Sequence, residues 1–178
     1  MSDGRSEPGG GGRPGFAGRP EGERSPSSVE KSEIVLPSDA NALGTAFGGR
    51  VVSWIDIAAS ISAQRHCRSF VVTASMDDIH FVAPIRQGEV VVLLAQVNAS
   101  WRTSVEVGVR VEAEDVLTGV RKHAVTAYLT FVALGPDGTP TPVPPVTPET
   151  ETERRRQSQA NGRREQRLAR RALREASK

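Results

Sequence analysis

The sequence predicts a single α+β domain in which a curved antiparallel sheet wraps around one central helix. The segment from Thr45 to His66 lacks proline and carries apolar residues around its whole circumference, which is typical of a buried helix. Segments rich in β-branched residues follow it, separated by turn residues. A long helix followed by a run of strands indicates a sheet packed on that helix. We place this domain at residues 32–135.

One short strand is predicted before the helix and four longer strands after it. The short strand lies at Glu33 to Leu36. The four others are Phe70 to Phe81, Glu89 to Trp101, Ser104 to Glu114 and Arg121 to Ala133. From Val105 to Glu112 valines alternate with polar residues or glycine, the two-residue period of a sheet with one buried face. We expect the four long strands to form an antiparallel meander.

Segments of different composition flank the domain. Residues 1–31 are rich in Gly, Pro, Ser, Arg and Glu, with Phe16 as the only aromatic residue. Burial cannot offset the entropy of ordering such a segment, so we expect a disordered tail. A proline-rich linker at residues 136–148 leads to a basic segment at residues 149–178, which we predict to be helical.

The net charge of +2 conceals a strong asymmetry along the chain. From Arg154 to Lys178 there are ten basic and two acidic residues, against 13 basic and 19 acidic residues before them. A basic run can indicate nucleic-acid binding, but this one has no aromatic residue for base stacking and no known reading motif. We favour a solvated helix that docks on its own domain or on a neighbouring subunit. The docking stripe would be Leu168, Ala172, Leu173 and Ala176.

Composition favours a cytoplasmic protein that does not cross a membrane. No apolar segment approaches the length of a membrane span, and the N-terminal segment lacks the apolar core of a secretory signal. Cys67 is the only cysteine, so an intrachain disulfide is impossible and a reducing compartment fits. We expect Cys67 to pack at the end of the helix.

Several familiar kinds of site are not expected. Asp77, Asp78 and His80 are close in sequence, but strand alternation puts Asp77 on one face and the other two on the opposite face. We therefore predict no metal site. A Gly-x-Ser-x-Gly elbow and a phosphate-binding glycine-rich loop with lysine are both missing from the sequence, which disfavours serine hydrolases and nucleotide hydrolases.

Asp56 is the first candidate functional residue. It is a lone carboxylate among apolar neighbours of the predicted helix, and burying it unpaired would cost several kcal/mol. Such residues usually have a function, although a structural ion pair at a subunit interface is an alternative.

Asn41 lies in the polar loop before the helix, where a turn-forming role is the alternative. Gly48 and Gly49 stand near the helix start, whose N–H groups attract anions and developing oxyanions.

Three stretches of the sequence resemble the hotdog-fold acyl-CoA thioesterases. They cover roughly Ile34 to Leu134: SDANALGTAFGGRVVSWIDIAASISAQRHC, VTASMDDIHFVAPIRQGEV and AQVNASWRTSVEVGVRVEAEDVLTGVRKHAVTAYLTFVAL. The resemblance implies a hotdog domain with the helix inside the sheet. Because the chain holds one copy, it also implies a homo-oligomer, at least a dimer with the two sheets joined edge to edge and commonly a trimer of dimers.

The resemblance assigns catalysis to Asn41 and Asp56, acting together across the dimer interface. Thioester hydrolysis needs a carboxylate that activates water or attacks the carbonyl, a polar partner that orients the water, and donors for the oxyanion. Asp56, Asn41 and the N–H groups near Gly48 and Gly49 could supply these three parts.

The resemblance also suggests where coenzyme A binds. It points to the Arg102-Thr103-Ser104 turn for the phosphates, where a cation and hydroxyls can meet phosphate oxygens. Val72 and Thr73, on a strand expected to face the helix, would flank the pantetheine arm.

The sequence therefore predicts an acyl-CoA thioesterase that releases a carboxylic acid and CoA, with no cofactor beyond its CoA thioester substrate. Two alternatives stay open: a non-catalytic CoA-binding module, and a hydratase or dehydratase of the same fold. The latter should carry an Asp/His pair near the helix, and no histidine lies between Leu36 and Gln64. The acyl chain length, and whether Asp56 acts as base or nucleophile, are undetermined.

Overall fold

The computed structural model describes residues 25–176 and folds them as one five-stranded antiparallel sheet with two α-helices. A short 3₁₀ helix, Pro37–Asp39, precedes the first α-helix. In chain order the main elements are β1 (Val29–Ile34), α1 (Gly48–Cys67), β2 (Phe70–Phe81), β3 (Val90–Ser100), β4 (Ser104–Glu114), β5 (Arg121–Leu134) and α2 (Glu151–Ala176). The predicted α+β class is confirmed.

The order of strands in the sheet is β1-β3-β4-β5-β2, so the prediction of a four-strand meander is wrong. Only β3, β4 and β5 form a meander, and β2 pairs with β5 at one edge. β3 does not pair with β2 because residues 82–89 lead the chain away from the β2 edge of the sheet. Ile85 accepts a hydrogen bond from Ala46 and Glu89 accepts one from Val35, so this connection passes the start of α1 and begins β3 beside β1.

One face of α1 packs against the inner face of the sheet. The residues of that face recur every three or four positions and are buried: Val51, Trp54, Ile55, Ala58, Ala59, Ser62, Ala63 and Cys67. The opposite face is not covered by the described chain, and Ile57 there is 44% exposed. The predicted burial around the whole circumference is therefore wrong, because the sheet contacts only one side of the helix. The predicted packing of Cys67 at the helix end is confirmed.

β1 starts earlier than predicted. It begins at Val29, which is buried, and Ser27 just before it is also buried and accepts a hydrogen bond from Ser62 Oγ through its carbonyl at 2.8 Å. Residues 29–31 are thus part of the sheet, and the predicted tail boundary at residue 31 is wrong. The rest of the predicted disordered tail, residues 1–24, lies outside the described residues.

The proline-rich segment is held against the end of the sheet. Val143 N donates to Arg102 O at 3.1 Å, and Val146 N donates to Ser100 Oγ at 2.8 Å. Both valines also pack against the core. These contacts lead the chain to the outer face of the sheet, where α2 begins with a capping box: Glu153 N donates to Thr150 Oγ1, and Thr150 N donates to Glu153 Oε2.

α2 lies on the outer face of the sheet and is anchored there by arginines. Ala160 is fully buried, which lets the helix come close. Arg163 pairs with Glu106 at 2.6 Å and lies over the Tyr128 ring at 3.6 Å, and the Glu106 side chain is completely buried. Asn98 Nδ2 also donates to Glu106, at 3.2 Å. The basic segment is helical as predicted.

The predicted docking stripe of α2 is not the one that contacts the domain. Its two largest members, Leu168 and Leu173, are 47% and 69% exposed. The contact uses earlier positions, because Ala160 is small and the arginine side chains can lay their aliphatic stems on the sheet while reaching buried carboxylates.

We expect Arg163→Met to lower the free energy of unfolding by about 3–5 kcal/mol, because the Glu106 carboxylate would stay buried without its charge partner. Denaturant unfolding at fixed protein concentration measures this change. The control is Arg171→Met on the same helix, which removes an exposed pair with Glu175 and should change stability by less than about 0.5 kcal/mol. Equal effects of the two substitutions would contradict the importance of the buried pair.

Candidate functional site

The Asp56 carboxylate is held by a hydroxyl group from β2. Thr73 Oγ1 donates a hydrogen bond of 2.7 Å to Asp56 Oδ1. Asp56 lies near the middle of α1 and is half-buried, on the side of the helix that borders β2. Within one subunit the carboxylate is therefore neither fully buried nor unpaired. Because Thr73 binds one carboxylate oxygen, the other is left for a ligand.

Thr73 faces α1 because of its place in the strand. It lies opposite Phe131, whose side chain is buried in the core, whereas Val72 lies opposite Val132 on the other face and is 46% exposed. Of the two residues expected to flank the pantetheine arm, Thr73 thus lies on the face toward α1 and Val72 on the opposite face. The direct contact with Asp56 was not predicted, although alternation from Val71, which packs against the core, signals that Thr73 points inward.

The loop before α1 is ordered around Asn41. Its Oδ1 accepts hydrogen bonds from Leu43 N at 2.9 Å and Thr45 N at 3.2 Å, and its Nδ2 donates to Thr45 Oγ1 at 3.0 Å. Asp39, which is buried, pairs with Arg50 at 2.8 Å and ties the loop to the helix. Within the described chain, Asn41 therefore forms its own turn and does not contact Asp56.

The start of α1 borders an open pocket of about 370 Å³. The pocket is lined by Thr45, Ala46, Gly48, Val51, Phe81, Val82, Ala83, Pro84 and Ile85. The N-cap Phe47 makes no side-chain hydrogen bond to the first turn, and Arg50 N donates to Phe47 O at 2.9 Å. The N–H groups of Gly48 and Gly49 precede this bond and have no intrahelical acceptor. Gly48 lies eight residues before Asp56, about 12 Å along the helix axis. One small group cannot contact both within one protomer.

The Arg102-Thr103-Ser104 turn lies near the other end of α1. Arg102 O accepts from Val143 N, and the neighbouring Pro144 O is 2.9 Å from Nε2 of His66, near the helix C-terminus. Arg102 is exposed and its guanidinium makes no ion pair within residues 25–176. A helix of this length spans about 30 Å, so the turn and the Gly48-Gly49 end are far apart in one protomer.

The edge strand β2 exposes apolar side chains. Phe70 is 80% exposed, Phe81 51% and Met76 40%, and the outer side of this strand has no partner strand in the described chain. An exposed apolar edge of this length is a surface on which another strand can pair. The edge adjoins the uncovered side of α1, where Asp56 lies.

Strand alternation predicts that Asp77 lies on the face opposite Asp78 and His80, and the structure differs at Asp77. A bulge between Met76 and Asp78 turns Asp77 to the outer face, where it pairs with Arg167 of α2. Among the described residues no group of three or more His, Cys, Asp and Glu side chains is arranged to hold a metal ion.

Within residues 25–176 no helix is long and apolar enough to cross a membrane.

Comparison with known proteins identifies the family. Residues 43–120 match the model of the thioesterase superfamily. An uncharacterized acyl-CoA thioester hydrolase of Bacillus subtilis is 50% identical over 123 residues, which cover 69% of this chain and 72% of the relative. The chain belongs to the acyl-CoA thioester hydrolases of the thioesterase superfamily. The resemblance read from the sequence is thus confirmed.

Solved structures of this family superpose closely on the chain. A hexameric acyl-CoA thioesterase is 42% identical with a TM-score of 0.79, covering 83% of this chain and 95% of its own. The acyl-CoA hydrolase of Staphylococcus aureus, solved with butyryl coenzyme A, coenzyme A and coenzyme A disulfide, is 38% identical with a TM-score of 0.80 and covers 85% and 93%. The predicted hotdog fold is confirmed.

The Staphylococcus aureus hydrolase has also been solved as three alanine variants. They replace an asparagine, an aspartate and a threonine that are spaced 15 and 17 residues apart along that chain. Asn41, Asp56 and Thr73 have the same two spacings.

We expect Cys67 to react slowly with thiol reagents. Burial raises the pKa of its thiol to about 11 from an ordinary value of 9.0, so at pH 8 the thiolate is about a hundredfold rarer than in an unperturbed cysteine. Labelling of the native protein with a chromogenic disulfide, compared with labelling in guanidinium chloride, measures this. Labelling of the native protein at the unfolded rate would show that the thiol is accessible.

Proposed function

We propose that the protein hydrolyses acyl-CoA to a free carboxylic acid and CoA, with Asp56 as the general base or nucleophile. The observation that carries this proposal is the hydrogen bond from Thr73 to Asp56. It is supported by the spacing of Asn41, Asp56 and Thr73, which equals the spacing of the three residues replaced in the Staphylococcus aureus hydrolase.

Thr73 prepares the carboxylate for this role. Its hydroxyl donates to Oδ1 and so fixes the orientation of the carboxylate plane. Oδ2 is then available to take a proton from a water molecule, whose oxygen attacks the thioester carbonyl, or to attack the carbonyl itself. In the first route the tetrahedral intermediate collapses with cleavage of the carbon–sulfur bond and gives the free acid. In the second route the same cleavage leaves a mixed anhydride on Asp56, which water then hydrolyses to the free acid and the regenerated carboxylate. In both routes the CoA thiolate leaves and is protonated. These steps require only the thioester and water as reactants.

The remaining catalytic groups come from a second subunit. Asn41 makes its hydrogen bonds within its own turn before α1, and the N–H groups at Gly48 and Gly49 lie about 12 Å along α1 from Asp56. Pairing of two subunits through their β2 edges would bring Asn41 of the partner subunit to Asp56, to orient the water, and the partner's helix start to the oxyanion. We therefore propose a homo-oligomer built from such dimers, and a trimer of dimers agrees with the hexameric relative.

Coenzyme A would be held through its phosphates. The Arg102-Thr103-Ser104 turn offers an exposed guanidinium without an ion-pair partner in the described chain, together with two hydroxyl groups. Arginine forms strong charge-assisted hydrogen bonds with phosphate oxygens. The pocket beside Gly48 and Phe81, whose lining side chains are mostly apolar, would take the acyl chain.

We expect Asp56→Asn to lower kcat by about 10²–10⁴-fold, because proton abstraction or attack by the carboxylate is lost. The assay uses acyl-CoA substrates from acetyl to palmitoyl and detects the released thiol. The control is Glu165→Gln, an exposed carboxylate on α2, which should keep wild-type activity. Turnover that survives in Asp56→Asn would overturn the proposed role, and CoA binding without any turnover by the wild type would indicate a binding module.

A mixing experiment tests the two-subunit site. Asn41→Ala and Asp56→Asn should each be inactive as pure proteins. Co-expression in equal amounts produces mixed dimers in which one of the two sites keeps both residues, so about a quarter of wild-type activity should return. No recovery, with mixed oligomers verified by mass spectrometry, would place both residues of a site in the same subunit.

A further inference from the structure

We infer that Arg167 on α2 is a positioning residue for the reaction: through Asp77 it holds two bulges in β2 that bring Thr73 to Asp56. This inference rests on the proposed function. Arg167 contacts neither Asp56 nor Thr73 and lies on the opposite face of the sheet from α1.

The two bulges determine where Thr73 lies along the sheet. At the far end of β2, Ile79 pairs with Ala127 and Phe81 with Val125. Register shifts between Thr73 and Ser75 and between Met76 and Asp78 each add one residue to β2. If β2 continued regularly from Ile79, Thr73 would lie opposite Ala133 rather than Phe131.

That difference is large compared with a hydrogen bond. Two residues along a strand correspond to about 7 Å. The Thr73 hydroxyl, now 2.7 Å from Asp56 Oδ1, would then be out of reach of the carboxylate. The shift of two residues also keeps Thr73 on the inner face, because alternation repeats every second residue. The bulges therefore set the position of the hydroxyl without changing its direction.

Asp77 holds the bulged segment of β2 in place through hydrogen bonds. Its side chain is only 5% exposed and accepts hydrogen bonds from Ser75 Oγ at 2.7 Å and Thr130 Oγ1 at 3.4 Å. Ser75 lies between the two bulges and Thr130 lies on the neighbouring strand β5. The carboxylate thus fastens the irregular part of β2 to β5.

Arg167 supplies the positive charge that offsets the free-energy cost of burying this carboxylate. It forms an ion pair with Asp77, and a buried carboxylate without such a partner is strongly destabilising. The guanidinium of Arg167 also lies 5.9 Å from the centre of the Trp101 ring, beside that of Arg164 at 5.0 Å. Arg163, one helical turn earlier, anchors α2 through Glu106. The docked helix therefore presents Arg167 to the bulges.

The first test compares Arg167→Gln with Arg171→Gln. Arg171 lies on the same helix, but its partner is the exposed Glu175. We expect Arg167→Gln to lower kcat by about tenfold with KM changed less than about twofold, since loss of the Thr73 hydrogen bond leaves the Asp56 carboxylate without its fixed orientation and mainly affects the chemical step. Arg167→Lys should recover most of the lost kcat because it keeps the charge. Equal kcat values for the two glutamine variants, with the same oligomeric state, would overturn the inference.

A double variant shows whether Arg167 acts through Thr73. If it does, adding Arg167→Gln to Thr73→Val should lower kcat by less than about twofold beyond Thr73→Val alone. Independent, multiplicative losses would overturn the inference.

A crystal structure of Arg167→Gln tests the register of β2 and the Thr73–Asp56 hydrogen bond independently of turnover. We expect the segment 74–77 to change register and the Thr73–Asp56 hydrogen bond to be lost. An intact hydrogen bond would overturn the inference at any level of activity. Failure of the wild type to hydrolyse any acyl-CoA would instead overturn the proposed function, and the crystal structure would still decide the positioning role.

Discussion

Packing of only one face of α1 against the sheet determines where chemistry can take place in this chain. The buried face of the helix consists of small or apolar residues, with a single buried hydroxyl at Ser62. Asp56 lies on the uncovered side, and Asn41, Gly48 and Gly49 lie at or just before the helix start. Within one subunit Asp56 is half-buried, so its charge avoids the cost of full burial and has the Thr73 hydroxyl as its partner. A second subunit can then complete the site by covering the same side.

The outer face of the sheet is covered by a different kind of contact. α2 is rich in arginine and buries only Ala160 among its residues, and it is held by ion pairs from Arg163 and Arg167 to carboxylates inside the interface. Buried ion pairs add little net stability but impose a strict geometry, because each charge must find its partner. Such a contact suits a helix that, as we infer, holds the register of the edge strand β2 and so the position of Thr73 on the other face of the sheet.

Local sequence patterns predicted the elements better than their arrangement. The bounds of β2 and β4 agree with the prediction because turn residues and a two-residue period mark them. The prediction misplaces β1 because its residues Glu30 to Glu33 are polar, and its order depends on pairing with β3 and on the burial of Ser27 and Val29. The position of β2 beside β5 depends on the path of residues 82–89, which carries no local signal. The site was predicted in part: Asp56 and Thr73 were both identified, but their contact depends on bulges that composition does not reveal.

The account depends most on a site shared by two subunits around Asp56. A crystal structure of the full chain with a non-hydrolysable acyl-CoA analogue tests this most directly. We predict the carbonyl carbon of the analogue, or a water next to it, within about 3.5 Å of the Asp56 carboxylate, with Asn41 of the partner subunit on the other side of it. An analogue bound with its carbonyl away from Asp56, or an Asn41 that stays in its own turn far from every Asp56, would contradict the account.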